Sequence, residues 1–188
     1  FGGTKNDNFV FASGVSFSGN IYGGTGNDSF VFRNGASLSG SIDGGTGANT
    51  IDFSASTDNL AISFHDDGTV KVEGTPGVLL ANAAGMNALI GGSGDDTFSF
   101  AKDATYAGSI NGGTGNNVLD YSLSEASLTI TFNANGSLTL VDGSNTATYS
   151  GALATLKGGA GNDSFVFKNG ASFAGSIEGG TGTNTVDF

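Results

Sequence analysis

A pair of adjacent glycines recurs along this 188-residue chain, and this repeat restricts the fold more than any other feature. The pairs begin at positions 2, 23, 44, 91, 112, 158 and 179, which gives spacings of 21, 21, 47, 21, 46 and 21 residues. Halving the two long intervals predicts further turns near 67 and 135, where Asp67-Gly68 and Asn135-Gly136 are good turn sequences. The sequence therefore predicts a single repeat array over residues 1–188, built from super-repeats of 67–68 residues. Its coils are expected to start near 2, 23, 44, 67, 91, 112, 135, 158 and 179.

Between the turns, apolar and polar residues alternate, which indicates β-strands. Phe30 and Phe32 form one such inward pair, and Leu38, Gly40 and Ile42 alternate with serines after the next turn. We expect each inward glycine to leave room for a Phe pair on the opposite strand. Two strands and two turns per coil predict an all-β, parallel β-solenoid of the β-roll or β-helix kind. It would have about nine coils of 21–24 residues, with the Gly-Gly turns stacked on one edge.

Two details bear on the regularity of this array. The only proline, Pro76, is expected at a turn, because a proline cannot donate a hydrogen bond within a sheet. Residues Leu79, Ala83, Met86 and Ile90 have helical spacing, so this segment is either a short helix or an irregular strand.

Composition restricts the function. Without cysteine there are no disulfides, thiolate nucleophiles or cysteine zinc sites. A formal net charge of −11 opposes binding to nucleic acid and favours a cation as partner. The longest apolar stretch, residues 78–90, is interrupted by polar residues and is too short for a membrane span, so no membrane insertion is expected. Because the chain starts and stops inside a repeat motif, we expect it to be an excerpt of a longer one.

The turns have the residue types of a cation site. Four of them contain an aspartate as the sixth residue, counted from the first glycine of the pair. These residues are Asp7, Asp28, Asp96 and Asp163. The other three, each directly after an Asp turn, have Asn49, Asn117 and Asn184 there. Two carboxylates one coil apart, at about 5 Å, repel by about 0.8 kcal/mol in water and about 3 kcal/mol at an effective dielectric of 20. The gap between Asp7 and Asp28 is therefore expected to need a cation most, and the Asp/Asn gaps less.

These turns resemble the calcium-binding nonapeptide Gly-Gly-x-Gly-x-Asp-x-U-x of the repeat-in-toxin (RTX) proteins, where U is a large apolar residue. The turns at 23, 91 and 158 match in full, and the turn at 2 has Lys5 in place of the third glycine. The resemblance implies that calcium lies between successive turns, held by the Asp side chains and glycine carbonyls. The ligand residues that it implies are Asp7, Asp28, Asp96, Asp163, Gly3, Gly24, Gly26, Asn49, Gly92, Gly94, Asn117, Gly159, Gly161 and Asn184.

A metal-free interpretation stays open, in which the turns are tight corners and Asp or Asn caps its own main chain. The only histidine, His65, lies beside Asp66 and Asp67 and is expected on a solvated turn, so no catalytic function is expected. The resemblance implies a calcium-stabilised structural segment of an extracellular bacterial adhesin, surface-layer or filament protein. Its coil ends are expected to continue in the same chain or to stack end to end. The alternatives are a carbohydrate-binding or carbohydrate-active solenoid and a metal-free structural solenoid.

Overall fold

The computed structural model describes residues 1–74, 77–143 and 145–188. This part of the chain contains twenty β-strands and no helix, so the all-β prediction is confirmed, and no helix in it is long and apolar enough to cross a membrane. The strands are β1 (Asn8–Phe11), β2 (Ser16–Phe17), β3 (Ile21–Tyr22), β4 (Ser29–Arg33), β5 (Ser37–Asp43), β6 (Thr50–Ala55), β7 (Ala61–Phe64), β8 (Val70–Glu73), β9 (Val78–Ala84), β10 (Ala88–Ile90), β11 (Thr97–Phe100), β12 (Ser109–Asn111), β13 (Val118–Asp120), β14 (Leu128–Phe132), β15 (Leu138–Asp142), β16 (Asn145–Ser150), β17 (Thr155–Lys157), β18 (Ser164–Phe167), β19 (Ser176–Glu178) and β20 (Thr185–Asp187).

The strands form two ten-stranded sheets that are largely parallel. The first sheet has the order β1-β4-β6-β10-β12-β16-β15-β14-β18-β20. The second has the order β19-β17-β13-β11-β7-β8-β9-β5-β2, with β3 also paired to β5. In the parallel regions the register follows the 21-residue repeat, so that Phe9 pairs with Phe30 and Phe30 pairs with Ile51.

Two antiparallel meanders interrupt the parallel sheets. They are β7-β8-β9 in the second sheet and β14-β15-β16 in the first. The turns expected near 67 and 135 lie at the first hairpin of each meander, where His65 N–H donates to Thr69 O and Asn133 N–H donates to Ser137 O, both at 2.9 Å. Asp-Gly and Asn-Gly pairs are typical of tight hairpins, which reverse the strand direction. The wholly parallel arrangement is therefore wrong at these two places.

The meanders also move the Gly-Gly turns from one edge of the sheets to the other. The turns at 2, 23, 44, 158 and 179 lead into strands of the first sheet, whereas those at 91 and 112 lead into β11 and β13 of the second. Two strands lie between the turns at 23 and 44, but five lie between those at 44 and 91. Because an odd number of strands separates them, the chain arrives at the opposite edge. The prediction that all the turns stack on one edge is wrong.

The segment with helical spacing contains two strands, β9 and β10, and Met86 lies between them. Leu79 and Ala83 are buried in β9, and Ile90 ends β10. The register of β9 shifts against both β5 and β8, so the irregular-strand interpretation is confirmed and the helix is wrong. The turn expected at Pro76 lies outside the described residues.

The core contains stacks of aromatic rings together with buried Leu, Ile and Val side chains. Phe11, Phe32 and Phe53 stack with ring centroids 4.4 and 4.7 Å apart, and the inward direction expected for the Phe pairs is confirmed for Phe30 and Phe32, which are buried. The role expected for the inward glycines is wrong. A Cβ on Gly40 would meet the main chain of Gly19, which lies between β2 and β3 in the neighbouring coil, and not a Phe pair on the opposite strand.

Candidate metal centre

The seven Gly-Gly turns form three separate columns, in which each turn lies against the next through main-chain hydrogen bonds. The first column contains the turns at 2, 23 and 44, the second those at 91 and 112, and the third those at 158 and 179. Within the first column, for example, Thr25 N–H donates to Gly3 O and Thr46 N–H donates to Gly24 O, both at 2.9 Å. Other turns and loops lie at the inner ends of the columns. No Gly-Gly turn of one column is therefore hydrogen-bonded to a Gly-Gly turn of another through its main chain.

The turn backbones approach so closely that side chains are excluded at several glycines. Gly24 has φ +102° and lies against the carbonyl of Gly3, where a Cβ would collide with the main chain. Only glycine combines this backbone conformation with such a contact. The carbonyls predicted as metal ligands belong to these contacts. Main-chain N–H groups of the next turn donate to the carbonyls of Gly3, Gly24, Gly92 and Gly159. The third glycine of the next turn lies against the carbonyls of Gly26, Gly94 and Gly161.

The predicted Asp and Asn side chains are turned inward beneath the turns. Asp28 is 1% exposed, Asp96, Asn49 and Asn117 are fully buried, and Asp163 is buried as well. Asp7 and Asn184, in the first and last turns, are partly buried. The structure therefore brings the predicted Asp and Asn ligands of one column close together. It keeps the predicted ligands of different columns apart.

In each of these side chains except Asp7, Oδ1 accepts a hydrogen bond from the main chain of the preceding turn or loop. The N–H of Asp7 donates to Oδ1 of Asp28 at 2.9 Å, and the N–H of Asp28 donates to Oδ1 of Asn49 at 2.9 Å. The same bond joins Asp96 N–H to Asn117 Oδ1 at 2.7 Å, and Asp163 N–H to Asn184 Oδ1 at 2.9 Å. Each column thus has a ladder of hydrogen bonds from main-chain N–H groups to side-chain oxygens.

The second carboxylate oxygens differ between columns. Oδ2 of Asp96 accepts from Gly92 N–H at 3.0 Å, and Oδ2 of Asp163 accepts from Gly159 N–H at 3.2 Å. Oδ2 of Asp7 and Oδ2 of Asp28 are buried and have no hydrogen-bond partner among the described residues. A buried polar atom without a partner is costly, so these two oxygens need a ligand that the other acidic turns do not.

In the asparagine turns, the side-chain Nδ2 takes the place of the second carboxylate oxygen. Nδ2 of Asn117 donates to the carbonyls of Gly112, Thr114 and Ala152 at 2.8, 3.2 and 3.0 Å. Nδ2 of Asn184 likewise donates to three carbonyls of its own turn, and Nδ2 of Asn49 donates to two carbonyls. Two or three carbonyl oxygens therefore surround each Nδ2, which carries a partial positive charge through its hydrogens.

In the acidic turns of all three columns an oxygen occupies that position, and Oδ2 of Asp96 borders Gly91 as Oδ2 of Asp163 borders Gly158. Oδ2 of Asp28 and the carbonyl of Gly44 both border Gly23, at the place where a Cβ would lie. Oδ2 of Asp7 and the carbonyl of Gly23 border Gly2 in the same way. Carboxylate and carbonyl oxygens are the ligands that calcium prefers, so the residues present fit that ion. No group of three or more His, Cys, Asp or Glu side chains able to hold a metal occurs in the described part of the chain, so main-chain oxygens have to supply most of the ligands.

Burial dominates the electrostatics of the second column. Desolvation raises the pKa of Asp96, against the effect of the N–H groups of Leu60 and Gly92, which donate to its carboxylate. The nearby charge of Asp95 raises it further. The protein therefore keeps this carboxylate ionised only at a cost, even though both of its oxygens accept hydrogen bonds.

Sequence reasoning missed the residues beneath the second and third columns. Ser56 and Ser124 are buried, and their carbonyls accept from Ser93 N–H at 2.9 Å and from Ala160 N–H at 2.8 Å. Their hydroxyls accept from the main chain two residues further on. The signal was present, because Ser56 and Ser124 end similar segments, Asp-Phe-Ser-Ala-Ser and Asp-Tyr-Ser-Leu-Ser.

The outward aspartates that follow the asparagine turns lie in different sheets. Asp52 and Asp187 lie in the first sheet, whereas Asp120 lies in the second. Asp120 pairs with Lys157 at 3.3 Å. Desolvation raises its pKa, but hydrogen bonds from Ser122 and the charge of Lys157 outweigh this and leave the pKa lowered.

Comparison with known proteins gives one match. The family model described as Peptidase M10 serralysin C terminal matches residues 37–181, which is more than half of the chain. This family is the C-terminal repeat region and not the protease domain. Asp7 and Asp28 precede the matched residues. No curated protein and no solved structure matches the chain.

Proposed function

The chain belongs to the serralysin C-terminal family, the calcium-binding Gly-Gly repeat region of secreted bacterial proteins, and from this premise we propose that it is a calcium-stabilised structural segment of an extracellular protein. We infer that its two sheets form a β-solenoid in which calcium stiffens the first column of turns. Such a rod suits the stalk of an adhesin, a surface layer or a filament. Its stability would then come from repeated contacts between neighbouring coils.

The observation that carries this proposal is the pair of buried, unpartnered oxygens, Oδ2 of Asp7 and Oδ2 of Asp28. A bound calcium ion supplies positive charge to these oxygens and to the neighbouring glycine carbonyls. The carbonyls that border the same places as these oxygens are those of Gly23 and Gly44. Asp7 and Asp28 are the only two carboxylates that follow each other in one column, which is why the need for a cation is greatest there.

The second and third columns differ in their need for calcium. Because Gly92 N–H and Gly159 N–H already bind the second oxygens of Asp96 and Asp163, these carboxylates are satisfied without an ion. Asn117 and Asn184 use both polar atoms of their side chains in hydrogen bonds. We therefore propose that these two columns are structural corners, and that the metal-free interpretation of the turns holds for them alone.

The size of the effect follows from mass action. Calcium at ten times its dissociation constant stabilises the folded state by about 1.4 kcal/mol per site. Extracellular calcium modules work with dissociation constants of about 10⁻⁴ to 10⁻³ M, because calcium is plentiful outside cells. One or two such sites are a substantial fraction of the stability of an ordinary domain.

The experiment is thermal unfolding followed by circular dichroism, in EDTA and in millimolar calcium, with magnesium as the ion control. The wild-type chain should melt at a higher temperature in calcium, and Asp28→Asn should abolish that difference. The matched variant is Asp96→Asn, which changes an equivalent turn whose carboxylate is already satisfied, and it should keep the calcium response. An identical wild-type melt in EDTA and calcium contradicts the proposal, as does a calcium response that depends on Asp96 and not on Asp28.

A further inference from the structure

The meander β14-β15-β16, which we call the second meander, contains a polar recess beside its second hairpin. Asp142 ends β15 and Asn145 begins β16, and the two residues pair directly across the hairpin. The preceding pair on the same face, Leu140 and Ala147, is buried in the core, so Asp142 and Asn145 also face inward. Both are partly buried. A carboxylate and an amide at the border of an apolar core need polar partners.

Tyr121 supplies a third polar group to this recess. Its ring stacks on Phe100 with centroids 4.0 Å apart, and the residue is 4% exposed. Burial raises the pKa of the Tyr121 hydroxyl, and the charge of Asp142 raises it further, so the hydroxyl and the carboxylate are neighbours. No described residue forms a hydrogen bond with either of these two groups. By contrast, the hydroxyl of Tyr106, which also lines the recess, donates to Ser109 O at 3.0 Å.

The recess is small and lies next to a wider groove. Its volume is about 10 Å³, which is space for about one water-sized group. Ala104, Asp142 and Asn145 line both the recess and the groove, whose volume is about 300 Å³. A ligand with a small polar head and a short tail matches this shape, with the head in the recess and the tail in the groove.

The charges around the groove favour a cation. Asp103 and Asp142 line it, and Lys102, the one basic residue in its described lining, forms an ion pair with Glu125 at 2.8 Å. These four residues have a formal charge of −2, from three acidic groups and one basic group. Burial raises the pKa of Asp142, and the charges of Asp163 and Asp103 raise it further. A positive group beside Asp142 therefore stabilises its ionised form.

The number of acceptors distinguishes between cations. Calcium takes about six to eight oxygen ligands, and the described ranges contain no group of three or more His, Cys, Asp or Glu side chains able to hold a metal. A guanidinium is planar and too large for a space of about one water molecule. A primary ammonium group has three N–H donors and no acceptor. The recess offers three acceptors, namely the carboxylate of Asp142, the amide oxygen of Asn145 and the hydroxyl oxygen of Tyr121.

The first meander, β7-β8-β9, lacks this polar group of residues. A step of 68 residues relates Phe53 to Tyr121 and Gly74 to Asp142. A Cβ on Gly74 would lie near core side chains, so this position faces inward in the first meander as well. The recess is therefore a property of the second meander and not of the repeat as such.

We propose that the recess of the second meander binds the primary ammonium group of an organic amine, which donates to Asp142, Asn145 and Tyr121. The alkyl chain of the amine lies along Ala104 and Ala126 in the groove. The same chemistry is found in a free alkylamine and in a lysine side chain, and the test separates these two sources. This site adds a binding function to the structural segment proposed above and uses no residue of the Gly-Gly turns.

The test is a titration of the isotope-labelled 188-residue chain with n-butylammonium in EDTA, followed by the NMR chemical shifts of the main-chain N–H groups of Gly143 and Asn145. We expect saturable shifts that are largest at these residues. Tetramethylammonium has the same charge but no N–H donor, and it should produce no saturable shift. Nα-acetyl-lysine methylamide is titrated in parallel. Affinity equal to that of n-butylammonium shows that a lysine side chain is accepted, and lower affinity assigns the site to free amines.

Variants identify the acceptors. Asp142→Asn removes the charge with little change in shape and should weaken binding at least about tenfold, whereas Tyr121→Phe should weaken it about threefold. The double variant Tyr121→Phe/Asp142→Gly copies the first meander and should not bind. Asp66→Asn is the matched control, because it removes one acidic charge at an exposed position of the first meander, and it should bind like the wild type. Circular dichroism melts confirm that each variant is folded.

Four results overturn the proposal. They are a wild-type chain without saturable shifts in the millimolar range, equal binding of tetramethylammonium, binding that Asp142→Asn leaves unchanged, and displacement of the amine by millimolar calcium. The last result would indicate a metal site in place of an amine site. None of these results depends on whether Asp28 binds calcium, so the failure of this proposal and of the calcium proposal are distinguishable.

Discussion

The first and second columns are built from the same turn sequence and treat their carboxylates in opposite ways. Asp96 has both oxygens satisfied by main-chain N–H groups, whereas Asp28 retains a buried oxygen without a partner among the described residues. The motif alone does not distinguish them, since both turns match it in full. The difference arises because Gly92 N–H reaches its aspartate and no such bond is made to Asp28. The need for an ion therefore depends on main-chain geometry as well as on sequence.

The largest effect is expected when the second column is converted into a copy of the first. Asn117→Asp places a carboxylate where Nδ2 now donates to three carbonyls, and next to Asp96. In EDTA we expect the free energy of unfolding to fall by about 3 kcal/mol, because a buried charge is left without a partner. Calcium should restore part of this loss. Urea unfolding in EDTA and in calcium measures both values.

The next effect is a difference in sign between Asp28→Asn and Asp96→Asn in EDTA. Asp28→Asn replaces an unpartnered oxygen by a donor that faces the carbonyls, and should stabilise the chain by about 1 to 3 kcal/mol. Asp96→Asn removes the acceptor of Gly92 N–H and should destabilise it by about 1 kcal/mol. Urea unfolding of both variants beside the wild type provides the test. Equal shifts in the same direction would show that the two columns do not differ.

A smaller effect is expected in the pH dependence of the second column. Desolvation raises the pKa of Asp96 in the folded state above its ordinary value of 3.8. As the pH falls from neutral through this raised pKa, the folded state takes up a proton before the unfolded state does, so this group favours folding increasingly. The stability difference between the wild type and Asp96→Asn should therefore widen on acidification in EDTA, and reach its limit below about pH 3.8. Urea unfolding at several pH values measures it, and a constant difference contradicts it.

The smallest effect concerns the aspartates that follow the columns. Asp120 pairs with Lys157, and hydrogen bonds from Ser122 help to lower its pKa, although desolvation acts against this. Its stabilising contribution is present above the unfolded pKa near 3.8 and is lost as the pH falls through the lowered folded value. Asp120→Asn should cost about 0.5 kcal/mol at neutral pH, since the pair is partly exposed. Asp52→Asn, in the same place after the first column, should cost less, because Asp52 has no ion pair among the described residues.

Local sequence features predicted the local structure well. The alternation around Phe30 and Phe32 identified the inward face, and the succession of Asp7 and Asp28 identified the turns whose oxygens are left without partners. Both are properties of neighbouring residues and of the constant 21-residue step.

Long-range features were not predicted correctly, because the long intervals of 47 and 46 residues were interpreted as two equal coils. Asp67-Gly68 and Asn135-Gly136 are hairpin signals that favour antiparallel strands, and they were the available indication of the meanders. The inward glycines were misassigned for a related reason. The atom that excludes a side chain at Gly40 belongs to the main chain of Gly19, whose distance depends on strand register and not on residue type.

The odd number of strands between successive columns also has a mechanical consequence. A Gly-Gly turn and the loop at the opposite edge are built differently, so a stack with every such turn on one side would accumulate curvature in one direction. Because the second column lies at the edge opposite to the first and third, a bend that the Gly-Gly turns impose at one edge is opposed at the other. We expect a stack with this alternation to be straighter than a stack with all of its Gly-Gly turns on one edge.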